Sequence, residues 1–381
     1  MIALSFPHLA GNEWKYVKDC LDTGWISSAG SYVTDFETSV ADFSQTKFGI
    51  ACVNGSAGLH VAMQLCGVRA DEYVITTNIT FIATVNAIKY CNAIPILIDV
   101  DIDDWQMDLS ILENFLDTET EQINNNCVYK KTSKRIAALL AVHVLGNMGD
   151  IDRLVEICQK HNITLVEDST EALGSYYKGK HSGGFGRMGV FSFNGNKIIS
   201  TGGGGVMVTN DDTLAKKAKH LTTQAKADAM EYYHDENGYN YRLVNILAAV
   251  GLAQMEQLQG FILNKKAMDA FYRKELAGVG DISFQKVSED VNPNCWLFTL
   301  KTSRKKELLN YLNNLQITSR SFWVPMNQLP MHKNEIYINA KDISNQIYDT
   351  CISIPSSVAI TQKELNEVVT AIKSFFANQE L

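Results

Sequence analysis

Proline is scarce, with only 6 in 381 residues, and the chain has no internal repeat and no low-complexity tract. With 46% apolar residues besides, a large core can form, and the length points to more than one domain. A basic stripe is missing as well. The formal charge is -8, and nothing in its pattern offers to neutralise a phosphate backbone, which argues against nucleic acid as a partner. The eight cysteines, Cys20, Cys52, Cys66, Cys91, Cys127, Cys158, Cys295 and Cys351, form no CxxC and no metal-like spacing. They read as reduced core thiols, and no metal is expected. No apolar run reaches the roughly eighteen residues of a membrane span, and MIALSFPHLAGNEW lacks a basic region followed by an apolar stretch. The expectation is a cytoplasmic protein without membrane association.

What the chain does have is an alternation of short β-branched runs and helical periods. Strands are predicted at 73–77, 94–101, 136–144, 163–169 and 190–193. Apolar residues three and four apart predict helices over SAGLHVAMQLCGV, IDRLVEICQKH and LAKKAKHLT. Such alternation implies an α/β fold with a mostly parallel sheet and crossover helices. From residue 251 the texture changes to a long helical stretch, a strand-like CWLFTL and a closing helix from Glu364 to Ala377. This divides the chain into a large domain, 1–250, and a smaller α+β domain, 251–381. The polar segment 117–135 reads as a surface insertion or hairpin.

Three features carry chemistry, each at the carboxyl end of a predicted strand, where ligands of α/β sheets gather. In VNGSAGLHVAM a strand reaches Gly55 and Ser56 and a helix begins. Free N–H groups there, with the Ser56 hydroxyl, make a phosphate cradle that Gly55 lets a ligand approach, unless Ser56 merely caps the helix. Asp168 ends the apolar ITLVED. A carboxylate there needs a cation, such as a protonated pyridine nitrogen, or else it caps a following helix. Glu171 is either a contact to the same ring's 3′-oxygen or a capping-box partner. In VFSFNGNKIISTGGGGVMV, Lys197 sits in a glycine-rich turn between two strands, where partial desolvation favours an imine-forming amine. The glycines follow the lysine, so this is no Walker loop. Ser192 can donate a hydroxyl to phosphate, and His143 in AVHV reads as a satisfied core histidine.

Taken in order, VNGSAGLH, TFIATVNAI, VEDSTEALGS, FSFNGNKIISTGGGG, GYNYRL and CISIPSS resemble the successive motifs of the DegT/DnrJ sugar aminotransferases, which have the type I aminotransferase fold. The resemblance implies pyridoxal 5'-phosphate as cofactor, with the pyridoxamine form carrying the amino group between L-glutamate and a nucleotide-linked keto sugar. It makes Lys197 the Schiff-base lysine and Asp168 the partner of the pyridine nitrogen. Ser56, Ala57 and Ser192 match phosphate contacts, and Phe81 matches an aromatic that stacks on the ring. Asn240 matches an asparagine that reaches the phosphate from a second subunit, which implies a homodimer with shared sites. The nucleotide would lie near Trp25, Ser27 and Ser28 and near Trp323, Asn327 and His332.

Glu171 stands where many relatives carry His or Gln, Leu247 replaces a common Gln, and Asn327 a common His. Within the family the sequence is similar to enzymes that aminate C4 of UDP-4-keto-6-deoxy-N-acetylglucosamine. The alternatives are a GDP- or dTDP-4-keto-6-deoxy sugar or a free keto-sugar acid. A sugar dehydratase of the same fold would replace Lys197 by histidine, and a sensor protein would need no complete catalytic set.

Overall fold

The computed structural model describes residues 1–377. Its large sheet contains β1 (Phe48–Cys52), β2 (Tyr73–Thr77), β3 (Ile94–Ile98), β4 (Lys134–Val142), β5 (Thr164–Asp168), β6 (Met188–Ser192), β7 (Gly205–Thr209) and β8 (Ile336–Ile338). They lie in the order β1-β7-β6-β5-β4-β2-β3-β8. Only β7 runs against its two neighbours; the remaining pairings are parallel.

Successive residues of one strand enter different cores, as the period of two requires. Val74 packs with Leu59 and Met63 of the helix Gly55–Leu65, whereas Ile75 packs with Phe115 of Leu109–Glu119 and Leu154 of Ile151–Lys160. Both faces are thus covered, which is why these strands are largely apolar.

Parallel pairing brings the strand ends abreast. Val142 pairs with Asp168, Asp168 with Val190, and Gly205 with both Ser192 and Cys52. One edge of the sheet therefore gathers the turns that follow β1, β5 and β6.

The carboxyl-terminal part builds a four-stranded antiparallel sheet in the order Ser283–Phe284, Thr299–Lys301, Cys351–Ser353, Arg320–Ser321. Its core includes Met268, Leu308 and Ile372 from three helices, and also Ile2 from the opposite end of the chain. The division at residue 250 falls inside the helix Asn245–Met255. The helix axis turns by 59° from there into Leu258–Leu276. In addition β8 belongs to the large sheet, through pairing with β3.

The segment 117–135 contains a hairpin, Thr120–Ile123 against Asn126–Tyr129, that continues onto β4. Its Cys127 and Tyr129 are buried, so it is more than a surface insertion. All eight cysteines are free thiols, and only Cys295 is not fully buried. His143 is 2% exposed and satisfied by Glu167 Oε1 at 3.0 Å. Among the described residues no single helix is long and apolar enough to cross a membrane.

Candidate active site

The helix Gly55–Leu65 begins directly after β1, and its cap is Asn54, whose side chain accepts the Ala57 N–H at 2.8 Å. Ser56 is therefore not the cap. The Gly58 N–H goes to the Asn54 carbonyl, which leaves the Gly55 and Ser56 N–H groups as the unsatisfied donors of the first turn. A side chain at Gly55 would place its Cβ 3.1 Å from Ser192 Cβ and 3.2 Å from Thr170 Cγ2. Glycine suits that close approach of three segments, since a larger residue would make Ser192 or Thr170 give way.

No helix follows Asp168, because residues 169–175 form turns; both capping alternatives, for Asp168 and for Glu171, fall with it. The Asp168 carboxylate, 2% exposed, accepts from Thr84 Oγ1 at 2.7 Å and from the Thr170 N–H at 3.2 Å. Glu171 turns the other way. Its Oε2 accepts the Leu145 N–H at 2.8 Å, from a leucine held at φ 61°, and its Oε1 faces Lys197 Nζ at 3.8 Å.

Burial pushes the Glu171 carboxyl up to about 7, against the opposing pull of the Lys197 charge. Burial likewise depresses Lys197, with Glu171 and Asp168 working in the opposite sense. An amine so placed is more readily neutral, and so more nucleophilic, than a lysine in water. On its other side Lys197 Nζ stands 4.0 Å from the centroid of the Trp296 ring.

These groups open onto a cavity of about 500 Å³ lined by Gly55, Ser56, Phe81, Glu171, Ser192 and Lys197. Trp323 lines it too. Asp168 is not part of the lining, although Thr170 and Glu171 beside it are. The other expected residues lie elsewhere. Ala57 is outside the lining with its N–H taken. His332 is 2% exposed, and Asn327 is engaged in a two-way hydrogen bond with Asn78. Trp25, Ser27 and Ser28 contribute nothing to this chain's cavity.

Asn240 is exposed and absent from the cavity wall. Its neighbours Tyr239 and Tyr241 stack on each other and both pack on His60, so alternation along extended backbone turns Asn240 away from them.

Residues that pattern reading missed include Asn54, Trp296 and Arg320, all three of which line the cavity. Asn54 carried a signal, an Asx residue just before the helical period. Trp296 carried a misleading one. CWLFTL reads as a strand, yet regular pairing begins only at Thr299, because Cys295 adopts φ 55° and Trp296 is drawn off to donate Nε1–H to the Asn196 carbonyl at 2.8 Å.

The residues present suit a phosphorylated aromatic aldehyde. Two free N–H groups and two serine hydroxyls could receive a phosphate, Phe81 offers a ring face, and Lys197, depressed by burial, stands beside the buried Glu171. Fold and site together define a type I pyridoxal-phosphate-dependent aminotransferase. The chain belongs to the DegT/DnrJ/EryC1/StrS aminotransferase family, whose model matches residues 7–373. It is 35% identical over 376 residues to the GDP-perosamine synthase of Escherichia coli O157:H7, covering 98% of each chain. To the GDP-perosamine synthase of Vibrio cholerae it is 34% identical, covering 99% of each. Among solved structures, DesV of S. venezuelae superposes with a TM-score of 0.86 at 26% identity, over 96% of this chain and 94% of that one.

Proposed function

We propose that this enzyme transfers an amino group from L-glutamate to C4 of a GDP-linked 4-keto-6-deoxy sugar of the perosamine type. The observation that carries the reading is end-to-end similarity, at 34–35% identity, to two GDP-perosamine synthases. It favours the GDP-sugar alternative over the UDP-N-acetylglucosamine series that the sequence motifs first suggest.

When bound, pyridoxal phosphate supplies an electron-accepting ring that lets the donor's α-proton leave. Lys197 holds the cofactor covalently and, once released by the amino donor, its Nζ takes the proton from the donor's α-carbon. Asp168 keeps the ring nitrogen protonated, with Thr84 fixing the carboxylate. Gly55 and Ser56 N–H groups, with the Ser56 and Ser192 hydroxyls, bind the phosphate. Phe81 covers the ring face, and Asn240 serves the phosphate of a second subunit's site. Lys197 argues against the dehydratase alternative, and the assembled constellation against a retired sensor.

The test loads the enzyme with pyridoxamine phosphate and offers GDP-, UDP- and dTDP-linked 4-keto-6-deoxy sugars, following the return of the lysine-bound chromophore. Fast return with the GDP sugar supports the reading. Return only with a UDP or dTDP sugar overturns it.

A further inference from the structure

Lys265, in the helix Leu258–Leu276, is 1% exposed. Among the described residues no carboxylate pairs with it. Its Nζ instead donates to the Trp296 carbonyl at 2.8 Å and to the Ser356 carbonyl. A buried ammonium without a counter-ion is costly, and burial brings Lys265 down to about 7, with the Cys295 thiol as the one opposing titratable neighbour.

The residue it holds is the one that covers Lys197. Trp296 is fixed at three points: its carbonyl by Lys265, its N–H by Asn294 Oδ1 at 3.0 Å, and its indole N–H by the carbonyl of Asn196, the residue before Lys197. Its ring then closes on Lys197 Nζ at 4.0 Å, and Trp296 is itself 3% exposed.

We propose that Lys265 is a positioning residue for Lys197: by holding the Trp296 carbonyl it keeps the indole closed over the amine and excludes water from it. The proposal deepens, and rests on, the reading of Lys197 as the cofactor-bearing amine. The indole acts on Lys197 in two opposed ways. Its ring face favours the charged form, whereas the water it excludes favours the neutral form. On this proposal exclusion prevails: the indole at 4.0 Å is one wall of the burial around Lys197, and burial as a whole is the leading influence on that amine.

The experiment acetylates apoprotein with acetic anhydride across a pH series and reads the Lys197 peptide by mass spectrometry, with circular dichroism to verify folding. Lys265→Met is expected to raise the midpoint of Lys197 by about one pH unit, seen as about tenfold slower acetylation at a pH below both midpoints. Lys265→Arg, which still donates to both carbonyls, keeps the wild-type midpoint. Trp296→Ala reproduces the rise, and Lys265→Met adds nothing further in that background.

A wild-type midpoint in folded Lys265→Met or in Trp296→Ala overturns the proposal, and so do additive shifts in the double variant. Should Lys265→Met not fold, Lys265→Gln, too short to reach both carbonyls, takes its place with the same expected rise. The two readings fail separately. Borohydride trapping of cofactor on a different lysine would remove the assigned role of Lys197 yet leave the acetylation result standing.

Discussion

Lys197 Nζ lies 3.8 Å from Glu171 Oε1, with the two side chains 11% and 2% exposed. At that separation each charge supports the other while burial opposes both, so a change of charge on one shifts the titration of the other. Glu171→Gln removes the carboxylate that holds the lysine up. Its Lys197 midpoint in apoprotein acetylation should move to lower pH, opposite to the shift expected of Trp296→Ala. A midpoint that rises would contradict the pairing.

The same carboxyl has a consequence for stability. Glu171 is raised from 4.5 to about 7 in the folded chain, so the folded state holds this proton more tightly than the unfolded state. Its contribution is fully present below pH 4.5 and is lost as pH rises through about 7. Relative to Glu171→Gln, the wild-type apoprotein should lose on the order of 3 kcal/mol between pH 4.5 and 7.5. Urea unfolding at the two pH values measures this, and a stability difference that stays constant would refute the raised carboxyl.

Asp168 receives one hydrogen bond from a hydroxyl and one from a backbone amide, which leaves a buried anion with capacity to pair with a cation. Asp168→Asn keeps the shape but cannot stabilise a protonated ring nitrogen. The variant should retain bound cofactor and slow donor deprotonation by at least about a hundredfold, measured by single-turnover absorbance with L-glutamate. Thr84→Val, which only strips one bond from the carboxylate, should cost less. A wild-type rate in Asp168→Asn would remove the proposed pairing.

How far this site could be read in advance depended on whether its determinants were local. Lys197, Asp168 and Ser56 sit at strand ends, and strand ends are marked by β-branched runs that stop at polar or glycine residues. Helix capping was legible in kind but misplaced by two residues, from Asn54 to Ser56, because both residue types suit a cap and only the backbone decides between them. Trp296 was illegible. Its apolar neighbours make a convincing strand, and the groups that pull it out of one, Asn294, Lys265 and the Asn196 carbonyl, are separated from it by up to 100 residues. The bend after Met255 was missed for a similar reason, as the helical period passes through it unbroken.

Gly55 tests the cradle without touching a charged group. Alanine there must push against Ser192 Cβ and Thr170 Cγ2 at 3.1 and 3.2 Å, backbone-near atoms that yield poorly, and would displace the Gly55 and Ser56 N–H groups. Overpacking of this kind costs about 1–3 kcal/mol. Gly55→Ala should therefore bind pyridoxal phosphate at least about fivefold more weakly, by titration of apoprotein. Unchanged affinity would show that the phosphate lies elsewhere.

The shared site is tested by mixing chains. Asn240 is exposed and lines no part of its own chain's cavity, so its proposed service to phosphate requires an isologous dimer. Lys197→Ala and Asn240→Ala chains, each poorly active alone, should form heterodimers after subunits are allowed to reassort. If Asn240 acts in trans, the site built on the intact lysine also receives the intact asparagine, while the other site collects both defects. Part of the activity then returns. If Asn240 acts within its own chain, each heterodimer holds one site with only the lysine defect and one with only the asparagine defect, and mixing restores nothing. Because loss of one phosphate contact weakens binding by only about 1.5–3 kcal/mol, the comparison belongs at limiting pyridoxal phosphate, where that loss is visible. Activity equal to the mean of the two parent homodimers, with heterodimers verified by mass spectrometry, would confine Asn240 to its own chain.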